Sequence, residues 1–301
     1  MTAPDRVRIP AHAKINLFLR ILAREASPAG GYHQIETAFA LLDLADELVA
    51  TRAARGVTLT VHGPDLGPIE ENLVVRAARA VLDATGGTFG VTLELTKRIP
   101  VRAGLGGGSS DAAAALHAVN ALAGGAVPRP ELLHLGTRLG ADVAFFASGA
   151  SAALAWGRGE RLFRLAPPPA APALVAVPPV AVATPDAYRW WDELNAAPGP
   201  RGPVVLETDA FGGWGSIGRL GGNDFEIPVF GRQPPIRALF ERLAATHPYW
   251  VRLCGSGGAV AAVYANERLR DDAAEQLGER QQQLIRTATR AAPGPGPEPL
   301  P

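Results

Sequence analysis

The chain predicts an α+β fold of two domains. Three observations lead there. Its 301 residues suffice for two domains of ordinary size. Strand-like and helix-like segments are mixed without the strict βα alternation of a doubly wound sheet. A proline run, Pro167-Pro-Pro-Ala-Ala-Pro172, breaks the composition past the middle. The expected domains are 1–166 and 173–290. The tail 291–301, mostly proline and glycine, is expected to form no regular element and to be disordered.

In chain order, Val7 to Ile21 reads as a strand pair with a tight turn, and Leu17 to Ile21 is its stronger strand. Arg24 to Gly31 is polar and fits a hairpin end. Ile35 to Val49 is apolar with polar interruptions, as a strand would be, and Val57 to Val61 alternates clearly. Asn72 to Thr85 places apolar residues at helical spacing, with Gly86-Gly87 as the stop. Val91 to Thr96 has the β-branched, period-two pattern of a half-buried strand. Ser109-Ser110-Asp111 supplies cap chemistry before an alanine-rich helix. Pro130 to Leu139 is a short helix with proline in its first turn, and Leu162 to Leu165 is the last strand of the first half.

Beyond the proline run, Ala173 to Val182 is strand-like and Tyr188 to Asn195 helical. Gly199 to Gly222 is rich in Gly and Pro and expected to be mobile. Ile236 to Thr246 is a helix, Trp250 to Cys254 and Val260 to Tyr264 are strands, and Arg268 to Arg290 reads as a charged helix. A hydrophobic fraction of 47% supports a full core.

Composition also excludes partners. Lys plus Arg equals Asp plus Glu at 29 each, so no basic field draws in nucleic acid or anionic lipid. No apolar run approaches the ~20 residues of a membrane helix, and the N-terminus carries no targeting pattern. The single cysteine, Cys254, rules out an intrachain disulfide and suits a reducing compartment. A cytoplasmic monomer or homodimer acting on small molecules is the expectation.

The segment Pro100-Val101-Arg102-Ala103-Gly104-Leu105-Gly106-Gly107-Gly108-Ser109-Ser110 is the most informative. It joins a strand to a helix through a backbone free to take positive φ and to approach a ligand closely. Free N–H groups and the dipole at the helix start make an anion site. No Lys follows the last glycine, so this is not a Walker A loop. The sixth position from Gly104 is Ser109, so it is not G-x-G-x-x-G either. A nucleotide loop of another design fits.

Pro-x-x-x-Gly-Leu-Gly-Gly-Gly-Ser-Ser-Asp-Ala-Ala, from Pro100 to Ala113, resembles the central motif of the galactokinase, homoserine kinase, mevalonate kinase and phosphomevalonate kinase (GHMP) superfamily. Ala13-Lys14-Ile15-Asn16-Leu17, Gly31-Tyr32-His33, Leu139-Gly140-Ala141-Asp142-Val143 and Asn223-Asp224-Phe225-Glu226 resemble the branch of that superfamily acting on a cytidine-diphosphate sugar alcohol. The resemblance implies a two-domain GHMP-kinase-like fold with the active site in the cleft between the halves. It further implies transfer from ATP, with Mg²⁺, to the 2-hydroxyl of a cytidine-diphosphate methylerythritol in non-mevalonate isoprenoid synthesis. Other kinases of the superfamily, for homoserine or mevalonate-like acceptors, and an inactive nucleotide sensor are the competing readings.

Phosphoryl transfer needs a phosphate cradle, a metal and a group that handles the acceptor proton. Asp142, framed by small and apolar residues, fits the last role, and a helix N-cap is its structural alternative. Lys14 lies among apolar neighbours, as a snorkelling strand-edge lysine or as the partner of Asp142. In the resembled kinases the matching Lys and Asp form the catalytic pair. Asn16, two residues on, shares a strand face with Lys14 and is a substrate-binding candidate. The resemblance assigns Tyr32 and His33 to the cytosine, Tyr188 to its other side, and Asn72 and Lys97 to the adenine. Ordinary packing for Tyr188 and helix capping for Asn72 stay open. The metal ligands are not assigned. His12, Arg102, Ala144, Cys254 and Gly258 depart from the family's usual residues without removing a group assigned to chemistry.

Overall fold

The computed structural model describes residues 3–24, 31–195 and 207–301. Two long strands frame its larger sheet. β1 (Arg6–Arg24) and β2 (His33–Ala53) pair antiparallel from Arg6↔Thr51 to Arg24↔His33. Next to β2 come β3 (Val57–His62) and β4 (Gly90–Thr96), parallel to each other, with β4 on the second half of β2. The first half of β2 takes β5 (Ala152–Gly157), which carries β6 (Arg161–Arg164) at the edge.

Helices α1 (Leu73–Ala84), α2 (Gly107–Leu122), α3 (Arg129–Leu139) and α4 (Ala141–Ala147) build the core beside this sheet. α1 is amphipathic and buries Val74, Val75, Ala78 and Val81 along one stripe. α2 is apolar nearly all round, and its run Ala112 to Leu116 is buried. Small side chains let neighbours approach it from every side, so the phosphate loop ends on a helix fixed in the core.

The second half starts with β7 (Pro172–Val177), at the last proline of the composition break. There follow α5 (Thr184–Leu194), α6 (Trp214–Ile217), α7 (Glu226–Arg232), α8 (Pro234–Ala244), β8 (Trp250–Leu253), β9 (Val260–Val263), α9 (Glu267–Leu277) and β10 (Gln283–Ala288). The strands form an antiparallel sheet in the order β10-β7-β9-β8. The two halves share one core, in which Ala13, Ile15 and Leu17 of β1 meet Val175, Trp250 and Ala261. The Trp250 indole N–H donates to the Leu17 carbonyl at 2.9 Å and anchors the contact.

Three elements differ from the sequence expectation. Val7 to Ile21 is not a strand pair but part of one 19-residue strand. Register shifts between His12 and Lys14, Asn16 and Phe18, and Ile21 and Ala23 absorb its irregularities without a turn. Arg268 to Arg290 is not one helix: Gly278, at φ +65°, ends α9, and Gln283 to Ala288 pairs with β7 instead. The tail 291–301 is not featureless. β11 (Glu298–Pro299) pairs with Val7 and Arg8 of β1, and the Leu300 N–H donates to Arg6 O at 2.9 Å. An edge strand tolerates proline, because only one side of its backbone must pair. The loop expected at 24–31 and the start of the stretch 199–222 lie largely outside the described residues. From Glu207 on, that stretch holds a 3₁₀ turn (Thr208–Phe211) and α6.

Candidate active site

The register shifts of β1 set up the first part of the site. Between them Ala13, Ile15 and Leu17 face the core while Lys14 and Asn16 share the other face. The Lys14 Nζ donates to Asn16 Oδ1 at 2.7 Å, Asn16 Nδ2 to Thr37 Oγ1 at 2.9 Å, and the Thr37 hydroxyl to Phe18 O at 2.6 Å. This buried relay holds the ammonium 3.6 Å from Asp142 Oδ2. The lysine is 3% exposed whereas the Asp142 side chain is 35% exposed, so the carboxylate faces the cleft and the ammonium stands behind it. Asp142 lies in the first turn of α4 and is not its N-cap; Gly140 holds that place.

The phosphate loop is tied to the same strand, since the Lys14 N–H donates to Leu105 O at 2.9 Å. Gly104 and Gly106 take φ of +78° and +72°, and Gly106 is the left-handed N-cap of α2. A glycine turn from the second half meets this loop. The Ala259 N–H donates to Ala103 O at 3.1 Å, and a Cβ on Gly104 would lie 1.8 Å from the Cys254 carbonyl oxygen. The motif Asn223-Asp224-Phe225-Glu226 explains how that turn is held. Asn223 Nδ2 donates to Leu253 O and Gly255 O at 2.9 and 2.7 Å, and Glu226 Oε1 accepts from the Leu253 N–H at 3.1 Å. Burial pushes the Cys254 thiol up to about 12, which makes it a packing group and not a nucleophile.

A cleft of about 570 Å³ is lined by the loop from Pro100 to Ser109, together with Asn72 and Lys97. Ser110 differs from the expectation. It faces a different side of α2, into a small cavity with His12 and His117, and its N–H is used by Gly106 O at 2.9 Å. One helical step carries it away from Ser109. Asn72 caps α1, accepting from the Val74 N–H at 2.9 Å, and also lines the cleft.

Lys97, expected near the adenine, lines the cleft and spends its ammonium on two carboxyl groups. Its ammonium donates to Asp46 Oδ2 and, at 2.6 Å, to Asp111 Oδ2, with all three side chains buried. Burial, opposed by Lys97, pushes the Asp111 carboxyl up to about 8.

On the other side of Asp142 a wide cleft of about 1360 Å³ contains Tyr32, His33, Tyr188 and Asp192. His33 stacks on Tyr188 with centroids 4.5 Å apart, and its Nε2 hydrogen-bonds Asp192 Oδ1 at 2.7 Å. The Phe225 ring meets Tyr188 edge-on at 4.8 Å. Tyr32 is 63% exposed, with the Arg158 guanidinium 4.1 Å from its centroid. The two tyrosines therefore do not face each other as a ready sandwich; His33 covers one face of Tyr188. Burial and the nearby Asp142 charge push the Tyr188 phenol up to about 12, so it remains a neutral hydroxyl.

The spaces connect. Gly104 and Gly106 line both the loop cleft and a recess of about 260 Å³ around Lys14 and Asp142. Tyr188 and Arg158 line both that recess and the wide cleft. A ligand in each large cleft would meet its neighbour at the Lys14–Asp142 pair.

Sequence reasoning missed Thr37, Asp46 and Asp192, polar residues beside an acidic neighbour (Glu36, Glu47 and Glu193) in strand or helix patterns with no motif around them.

Comparison with known proteins accounts for this arrangement. The family description "GHMP kinases N terminal domain" matches residues 72–150, and "GHMP kinases C terminal" matches 208–283. The 4-diphosphocytidyl-2-C-methyl-D-erythritol kinase of Solibacter usitatus is 39% identical over 286 residues, covering 93% of this chain and 88% of the relative. The chain belongs to the 4-diphosphocytidyl-2-C-methyl-D-erythritol kinase family. Its namesake in Moorella thermoacetica is 37% identical, covering 95% of this chain and 99% of the relative. A crystal structure of 4-(cytidine 5′-diphospho)-2C-methyl-D-erythritol kinase superposes with a TM-score of 0.78 at 37% identity, over 96% of this chain and 100% of that one. A homoserine kinase from Cytophaga hutchinsonii, at 18% identity and a TM-score of 0.66 over 99% of this chain and 98% of that one, shares the fold. The α+β GHMP-kinase architecture expected from the sequence is the one this kinase family has.

Proposed function

We infer that this protein is an ATP-dependent kinase that phosphorylates the 2-hydroxyl of 4-(cytidine 5′-diphospho)-2-C-methyl-D-erythritol, supplying isoprenoid precursors by the non-mevalonate route. The observation that carries the reading is the Lys14–Asp142 contact of 3.6 Å in the recess joining the two clefts. The loop around Gly104–Ser109 cradles the triphosphate through its N–H groups and helix dipole. Asp142, the more exposed partner, accepts the acceptor's hydroxyl proton. Lys14, aimed by Asn16, neutralises charge on the phosphoryl group in flight. The halves 1–166 and 173–290 act as the lobes of the cleft.

Oxygen donors lie on both sides of the loop, the Ser109 hydroxyl in the nucleotide cleft and the Asp142 carboxylate in the recess. Such hard donors suit Mg²⁺, which binds through one or two protein oxygens plus phosphates and would offset charge on the triphosphate. No helix among the described residues is long and apolar enough to cross a membrane. The single buried cysteine suits the reducing cytoplasm.

Mass-spectrometric detection of product from a panel of acceptors tests the reading. Turnover is expected with the cytidine substrate, and equal or faster turnover with homoserine or mevalonate overturns it. The base site has its own test. Tyr32→Ala and Tyr188→Ala are each expected to raise KM for the cytidine substrate by the equivalent of about 1–3 kcal/mol of stacking, with KM for ATP nearly unchanged. An unchanged KM in Tyr188→Ala would return that residue to packing against His33 and Phe225.

A further inference from the structure

Beneath the phosphate loop lie three buried ionisable side chains to which the proposed reaction assigns no step. Lys97 bridges Asp46 on β2 and Asp111 on α2, and none of the three side chains is more than 4% exposed. The second oxygen of Asp46 accepts from the Arg98 and Ile99 N–H groups at 2.5 and 2.8 Å. One carboxylate thus grips the chain as it enters the loop, and the other sits on the helix by which it leaves. The Lys97 ammonium joins them. Between these points Arg102, Gly104 and Gly106 all have positive φ, so the loop lacks the regular ladder of a strand or helix.

This is a costly way to fill a core. Two buried carboxyl groups share one ammonium, and Asp111 Oδ1 is buried without a hydrogen-bond partner. Apolar residues of similar volume would pack there at no such cost. What the triad provides and apolar packing would not is a directional tie between the two ends of the loop.

We propose that Asp46, Lys97 and Asp111 form a positioning device that fixes the spacing between the strand entering the phosphate loop and the helix leaving it, and so sets the bound triphosphate at the distance from Lys14 and Asp142 that transfer needs. The proposal rests on the kinase reading above. Lys14 is bonded to this loop through Leu105 O at 2.9 Å, so a shift of the loop shifts the phosphates against the reacting pair. A misplacement of about 1 Å can cost about 10²-fold in rate. Asp46, Lys97 and Asp111 are positioning residues here; they act through the loop.

Three roles give three signatures. A contact of Lys97 with adenine would appear in KM for ATP with kcat unchanged. A merely structural triad would lower the melting temperature and leave kcat per folded molecule alone. Positioning lowers kcat. In the full-length enzyme, Asp111→Leu cuts the tie while Lys97 keeps Asp46. Its kcat is expected to fall roughly 10- to 100-fold, with Kd for ADP changed less than about threefold by calorimetry. Amide hydrogen exchange over residues 99–107 is expected to speed up with or without ADP. Asp111→Asn, which can still accept from Lys97, is expected to recover most of the lost turnover. If Asp111→Leu does not fold, Lys97→Arg carries the test, because its longer fork alters the spacing and keeps the charge; its kcat is expected to fall as well. Unchanged kcat, or exchange over 99–107 equal to the wild type, overturns the proposal. The exchange measurement needs no acceptor, so a wild type that fails to phosphorylate the cytidine substrate would sink the kinase assignment and leave the loop test readable.

Discussion

Replacing Asp142 by asparagine is expected to lower kcat by about 10²–10⁴-fold, the usual worth of a general base, with both substrates still bound. The amide keeps the shape of the carboxylate and removes its charge and basicity. The buried Lys14 ammonium loses its counter-charge but keeps its bond to Asn16 Oδ1, and the replaced side chain is 35% exposed, so the fold should be retained. Lys14 is the opposite case. It is almost wholly buried, and Lys14→Ala also strands the Asn16 oxygen it donates to at 2.7 Å. Its kcat should fall too. The double variant should lose less than the product of the two single losses, because groups that act as a unit are not additive. Single-turnover kinetics separates the chemical step from binding, and calorimetry reports the binding. Near-normal kcat in Asp142→Asn would assign the reaction to the loop and metal alone.

The legible parts of this site share one property: their chemistry is written in adjacent residues. The run Gly104–Asp111 announces a phosphate loop because glycines and hydroxyls must be contiguous to expose N–H groups to an anion. Lys14 and Asp142 stand out as charges in apolar segments. What was not legible depends on partners distant in sequence. Lys97 reaches Asp46 and Asp111, which lie 51 and 14 residues away, and nothing local at Lys97 announces either. His33 is aimed by Asp192, which lies 159 residues away.

The fold shows the same division. Amphipathic α1 is plain from its spacing, as is the alternating β4. The 19 residues of β1 were not, because bulges disturb the period that identifies a strand. The tail differs from its composition for a related reason. Its prolines forbid a helix or a central strand, but they permit a two-residue edge pairing, to which the Arg8–Glu298 ion pair at 3.0 Å adds. Composition limits what a segment can form alone and says little about what a neighbouring edge offers it.

The meeting of the two glycine turns gives the second large effect, in Gly104→Ala. Gly104 has φ +78°, where an L side chain costs roughly 1–2 kcal/mol. Its Cβ would also lie 1.8 Å from the Cys254 carbonyl oxygen and 2.7 Å from the carbonyl carbon. Those are backbone atoms, so no flexible side chain can swing aside. Nor can the Cys254 turn retreat freely, since Asn223 holds Leu253 and Gly255, and Ala259 is bonded to Ala103. The two turns must part, which opens the floor of the nucleotide cleft. The expected results are a loss of stability of at least 2 kcal/mol, on the order of the strain plus the broken contacts, and a rise of tenfold or more in KM for ATP. Gly108→Ala is the control for stability. Its position lies in α2, has ordinary φ, and a Cβ there meets nothing within 4 Å. Alanine should stabilise it by up to about 1 kcal/mol through helix propensity. Chemical denaturation of the two variants reads these opposite signs directly. Equal stability of Gly104→Ala and wild type would mean that the turns of the two halves do not meet at this carbonyl, and that the phosphate loop is held by α2 and β1 alone.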